Sequence, residues 1–206
     1  SFKTISMTSN KELMYFIKDY LSKSNINCEL LEGSKGQFNL YSKIGPDKDG
    51  GILLSGHTDV VPTEGQSWNS NPFKLINKKK RFYGRGTCDM KSFIAVSLDL
   101  VSKINISNLK KPIHLIFSYD EEIGCVGIQK IVPFIKKLNP KPMYCIVGEP
   151  TGMKVVNEHK GKKNFLVQFN GVEAHSSLIH NGVNSINFCT EFIEFLKDLQ
   201  KSISTF

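Results

Sequence analysis

Three short apolar runs do most to limit what this chain can fold into, because each ends directly in a histidine or a carboxylate. Ile52-Leu53-Leu54 leads into Ser55-Gly56-His57, and Ile113 to Phe117 leads into Ser118-Tyr119-Asp120-Glu121-Glu122. Tyr144-Cys145-Ile146-Val147 leads into Gly148-Glu149. Runs so short, β-rich and nearly uninterrupted are expected of strands buried on both faces. Helical patterns cover roughly 8–24, 91–103, 126–138 and 184–201, with further β-type runs near 28–31 and 38–42. The alternation predicts an α/β domain layered around a largely parallel sheet. Open sheets of that kind collect their ligands at the carboxyl ends of the strands, where His57, Glu121, Glu122 and Glu149 would all fall.

Each group has a plain structural alternative when read alone. His57 could be a packed histidine or a metal ligand whose other ring N–H is taken by Asp59 two residues on. Asp89 sits in the glycine-punctuated Gly84-Arg85-Gly86-Thr87-Cys88-Asp89-Met90-Lys91, where it could cap a helix or bridge two cations. Glu121 and Glu122 are adjacent acids that a buried sheet edge would hold only with a compensating cation or proton. One could ligate while the other serves as general base. Converging at one edge, these nitrogen and oxygen donors suit zinc, cobalt or manganese. The residues alone predict a hydrolytic metal site.

The rest of the composition narrows the partners. The net charge of +8 could suggest nucleic acid, yet Arg81 and Arg85 are the only arginines and the lysines are scattered. The run Lys78-Lys79-Lys80-Arg81 reads as a solvated hairpin tip. No run of ~18 apolar residues predicts a transmembrane helix. Five cysteines without a C-x-x-C pair favour a reducing compartment, and a cytoplasmic protein is expected. Cys88 and Cys125 are expected to be small buried fillers, and His114 a hydrogen-bonded core residue.

Taken together, the segments SGHTDVVP (55–62), YGRGTCDMK (83–91), YDEEIGC (119–125) and GEPT (148–151) resemble a family of co-catalytic metallopeptidases. That family comprises aminoacylases, succinyl-diaminopimelate desuccinylases and acetylornithine deacetylases, and the resemblance runs along essentially the whole chain. Within it the acetylornithine deacetylases are the nearest in pattern. That finer resemblance rests on Gly65-Gln66 before Trp68, Thr87-Cys88 before Asp89 and Gly124-Cys125 after the acid pair. It also rests on His159-Lys160-Gly161-Lys162, Ala174-His175-Ser176-Ser177 and Gly182-Val183-Asn184. Ser92 and Ser185 depart from the pattern, each by one small residue for another.

The resemblance implies a three-layer zinc-exopeptidase-like catalytic domain over 1–161 and the beginning of an α+β lid or dimerisation domain over 162–206. It implies two divalent metal ions, zinc in the first place and cobalt as the alternative. His57 and Glu149 would bind one metal, Glu122 the other, and Asp89 both. Asp59 would orient His57, Glu121 would be the general base, and His175 would reach the partner subunit's active site to hydrogen-bond the oxyanion. The implied reaction is hydrolysis of N-acetylornithine to ornithine and acetate, a step of arginine biosynthesis. The alternative is a related amidohydrolase acting on succinyl-diaminopimelate, another N-acyl amino acid or a dipeptide. A homodimer with a small-molecule substrate is expected, without nucleic acid or membrane. The family also uses a histidine from a later segment on the second metal, so this polypeptide is expected to be a fragment and inactive or nearly so alone. A strand near 164–169 is expected to open the lid.

Overall fold

The computed structural model describes residues 2–203, in two compact units, Ser1–Val155 and Val156–Phe206. In the first unit, helix α1 (Lys11–Ser22) precedes strands β1 (Cys28–Glu32), β2 (Phe38–Ile44) and β3 (Gly51–His57). A hairpin of β4 (Ile76–Lys78) and β5 (Arg81–Tyr83) follows, then α2 (Lys91–Lys103), β6 (Ile113–Ser118), α3 (Val126–Lys136) and β7 (Pro142–Val147). The sheet order is β1-β2-β6-β3-β7. The three strands read as site-bearing run parallel as β6-β3-β7, and β2 and β1 continue the sheet antiparallel.

Alternation along the central strands separates two apolar layers. Leu54, Leu115 and Phe117 point into one cluster with Leu13, Met14, Ile17 and Leu21 of α1 and Ile94, Leu98 and Val101 of α2. Leu53 and Ile116 point the other way, to Ile131 of α3. A strand that is apolar throughout is expected to be covered on both faces. Helices α1 and α2 cover one face and α3 the other, so β3 and β6 match the expectation. His114 is buried within β6, its Nδ1 2.9 Å from the Tyr41 hydroxyl.

β7 corrects that expectation. Met143, Tyr144, Ile146 and Val147 are largely exposed. The strand is the sheet edge, paired only with β3 among the described strands. An apolar run therefore identified the strand but not its burial.

The hairpin tip is where the lysine run placed it. Lys78 pairs with Arg81, and Lys79 and Lys80 both take positive φ, 51° and 62°. Two central residues at positive φ match the twist of a two-residue hairpin. At the start of α1, the Asn10 side chain does not cap the helix. Its amide donates to Phe38 O and Thr58 Oγ1 and its Oδ1 accepts from Phe38 N–H, while Ser9 Oγ accepts from Lys11 N–H.

The second unit holds helix α4 (Ser185–Ile203) and a short 3-10 turn over Ser176–Asn181. Val172 and Val183 form an isolated antiparallel bridge. The strand expected near 164–169 is not formed, because no described segment pairs with it. Along α4, Ile186, Phe188, Ile193, Phe195, Leu196 and Leu199 are exposed. Among the described residues, no helix is long and apolar enough to cross a membrane.

Candidate metal centre

The end of β3 carries His57 into the site with its backbone already committed. The His57 amide points at Met90 Sδ (3.2 Å), and the imidazole is 2% exposed. Nδ1–H donates to the Asp59 carbonyl oxygen at 2.9 Å, and the Asp59 carboxylate stands 3.3 Å from the same nitrogen. Both contacts fix the ring, so Nε2 is the nitrogen left to act. It lies 2.9 Å from Asp89 Oδ1 and 3.8 Å from both Glu121 Oε2 and Glu149 Oε1.

The loop before α2 supplies Asp89. Gly86 adopts a φ of +84°, and a Cβ there would come within 2.9 Å of Val60. Only glycine accepts both that conformation and that approach. Helix α2 starts at Lys91 with Met90 as its cap residue. Asp89 therefore does not cap the helix, which removes its structural alternative. Upstream, the Arg85 guanidinium donates to Pro62 O and Gln66 Oε1 and stacks 5.2 Å over Trp68. It ties the segment after His57 to the segment before Asp89.

Glu121 and Glu122 follow β6 in a tight turn. The Glu121 carbonyl accepts from the Gly124 and Cys125 amides, both at 2.9 Å. The Glu121 and Glu122 amides donate in turn to the Asp59 carboxylate, at 3.0 and 3.3 Å. Asp59 thus holds the histidine and the acid pair at once. Glu149 arrives from the end of β7, whose Gly148 amide donates to Ser55 O at 3.1 Å.

Ligand atoms of His57, Asp89 and Glu122 lie within 4.8 Å of one another, as do those of His57, Glu121 and Glu149. The two groups share the imidazole and bring together His57, Asp89, Glu121, Glu122 and Glu149, with Asp59 behind the ring at Nδ1. His175 belongs to the second unit, where Nδ1 pairs with Ser177 Oγ (2.7 Å) and accepts from the Ser177 amide. Cys88 and Cys125 are exposed rather than buried, because both stand on the loops that rim the site. Cys125 Sγ is 3.5 Å from Glu121 Oε1. All five cysteines are free.

The electrostatics of this cluster ask for positive charge. Burial would push the His57 imidazole down, but the Asp59 hydrogen bond and the carboxylates of Asp59, Glu149 and Glu121 outweigh it and lift it to about 9. Glu122 and Glu149 are pushed up from the ordinary carboxylate value, first by burial and then by neighbouring acids, against the pull of His57. Asp59 is held low despite its burial, because His57, Ser6 and the Glu121 amide all favour its ionised form. Crowded carboxylates around one neutralisable imidazole are the donor set that a divalent cation would satisfy.

The groups behind this arrangement carry no mark in the sequence. Ser6 Oγ donates to Asp59 Oδ2 at 2.8 Å, and the Met7 amide to Asp120 Oδ1 at 2.7 Å. Neither lies in a periodic or motif-like stretch, so no local signal marks them.

Residues 53–198 carry the pattern of peptidase family M20/M25/M40. The chain is 36% identical over 197 residues to an acetylornithine deacetylase from Pasteurella multocida, covering 95% of this chain and 50% of that protein. It is 39% identical over 194 residues to an acetylornithine deacetylase from Buchnera aphidicola, covering 93% and 50%. The chain thus spans about half the length of the curated relatives it matches. An M20 family metallo-carboxypeptidase from Sulfolobus solfataricus superposes with a TM-score of 0.58 and 26% identity, over 66% of this chain and 32% of that one. A tripeptidase from Staphylococcus aureus shares the fold with a TM-score of 0.61 and 17% identity, over 93% and 52%.

Proposed function

The chain belongs to peptidase family M20/M25/M40, and we propose that it forms the metal-binding part of a cytoplasmic, homodimeric amidohydrolase that cleaves N-acetylornithine to ornithine and acetate. The observation that carries the reading is the convergence of His57 Nε2 with Asp89, Glu121, Glu122 and Glu149 at the carboxyl ends of parallel strands. The acetyl substrate is favoured by the acetylornithine deacetylases at 34–39% identity among its relatives.

His57 and Glu149 would hold one divalent ion, zinc or cobalt, Glu122 a second, and Asp89 both. Such ions, when bound, polarise the amide carbonyl and lower the pKa of water toward roughly 7. The remaining chemistry belongs to the chain. Glu121 stands 3.8 Å from His57 Nε2 with its amide tied to Asp59, so its carboxylate is held at the centre. It would take a proton from the attacking water and return it to the departing amine as the C–N bond breaks. Asp59 keeps the imidazole in the tautomer that leaves Nε2 free. His175 would donate a hydrogen bond to the oxyanion in the active site of a partner subunit.

The test is amine release by the full-length protein loaded with zinc or cobalt. N-acetylornithine and N-succinyl-diaminopimelate would be offered separately at equal concentration. At least tenfold faster turnover of the acetyl substrate is expected. A preference for the succinyl substrate would overturn the substrate assignment, and no turnover of either would overturn the hydrolase reading.

A further inference from the structure

We infer that Ser6 is a positioning residue of the metal centre, acting on His57 through the Asp59 carboxylate. The segment around it, residues 2–7, lies outside every named helix and strand, yet it is fastened along the site-bearing loop by successive bonds. Thr4 Oγ1 donates to Thr58 O, the Val60 amide to Thr4 O (3.0 Å) and the Ser6 amide to Val60 O (3.1 Å). Ile5 and Val60 form a parallel bridge. The Ser6 backbone is therefore held against the residue that follows Asp59, and its hydroxyl donates to Asp59 Oδ2 at 2.8 Å.

That bond has a specific task. The terminal torsion of an aspartate is broad and roughly two-fold, so an Asp59 carboxylate is oriented only by its partners. Oδ1 faces His57 Nδ1 at 3.3 Å and the Glu121 amide at 3.0 Å. Oδ2 faces Ser6 Oγ and the Glu122 amide at 3.3 Å. Without the hydroxyl, Oδ2 retains one long bond, and the carboxylate plane can turn. The imidazole and the Glu121–Glu122 turn share that carboxylate, so both would lose definition together. Groups that orient a ligating histidine from behind typically change metal affinity 10–100-fold when lost.

This inference rests on the proposed metal reading, and its test keeps the two apart. Ser6→Thr and Ser6→Val are near-isosteric and differ in the hydroxyl alone. Cobalt affinity of the full-length protein would be measured by competition with a chromogenic chelator, with the visible cobalt absorption and the thermal midpoint recorded alongside. Ser6→Thr is expected to bind within about threefold of wild type. Ser6→Val is expected to bind about tenfold more weakly, with an altered cobalt spectrum and a thermal midpoint close to that of Ser6→Thr. Equal affinities and spectra for the two variants would overturn the role of Ser6 while leaving the metal reading intact. Failure of the wild-type protein to bind cobalt would overturn both.

Discussion

His57 Nε2 and Asp89 Oδ1 stand 2.9 Å apart although 32 residues separate them in the chain. The contact exists because β3 ends where the loop before α2 returns over it, with Gly56 packed against Met90 and Ile94. It pairs the one buried imidazole of the site with an acid whose side chain is 47% exposed. An exposed acid gains little from an ordinary ion pair. Under the proposed metal reading the two are ligands facing a shared cation.

Glu121→Gln separates base from ligand. The amide keeps the size and polarity of the side chain but cannot accept the proton from water. Turnover by the full-length enzyme is expected to fall by about 10²–10⁴-fold, while cobalt affinity stays within about threefold. Parallel loss of both would remove Glu121 from the base role.

The metal-free protein should lose stability as pH rises from 6.5 to 8. His57 has a folded value of about 9 against an ordinary 6.5. Its contribution is complete below 6.5 and disappears as pH rises through about 9. Glu122 and Glu149, pushed up, act in the same direction from lower pH, whereas Lys91, pushed down to about 8 by burial, opposes the trend above 8. The loss between pH 6.5 and 8 is roughly 1–2 kcal/mol. Thermal unfolding in chelator checks it, and His57→Gln should flatten the slope. At pH 7, zinc binding should release protons, because a ligating imidazole must be neutral.

Gly148→Ala should damage the site without touching a ligand. A Cβ at Gly148 would fall 2.0 Å from the Phe93 ring. Either the ring or the end of β7 must move, and Glu149 is the next residue. Cobalt affinity is expected to drop about tenfold or more, with Phe93→Ala in the same chain restoring part of it. An unchanged affinity in Gly148→Ala would contradict the link between β7 and the centre.

The strands, helices and acids of the first unit were legible because they carry local patterns. β3 and β6 are apolar on both faces, α2 has helical spacing, His57 ends β3, and Glu121, Glu122 and Glu149 follow the ends of β6 and β7. What was not legible depends on partners distant in sequence. The exposure of β7 depends on what covers a sheet edge, and that of Cys88 and Cys125 on where two loops carry them. A strand at 164–169 needs a partner strand that no described segment provides. Ser6 acts across 53 residues of chain, and a lone serine carries no periodicity to announce it.

The most direct test of the whole account is a calorimetric zinc titration of the metal-free, full-length protein. Two zinc ions per polypeptide are expected. His57→Ala should lose at least one of them, and Glu122→Ala should weaken the other. No saturable zinc binding, or binding indifferent to His57, Asp89, Glu122 and Glu149, would contradict it.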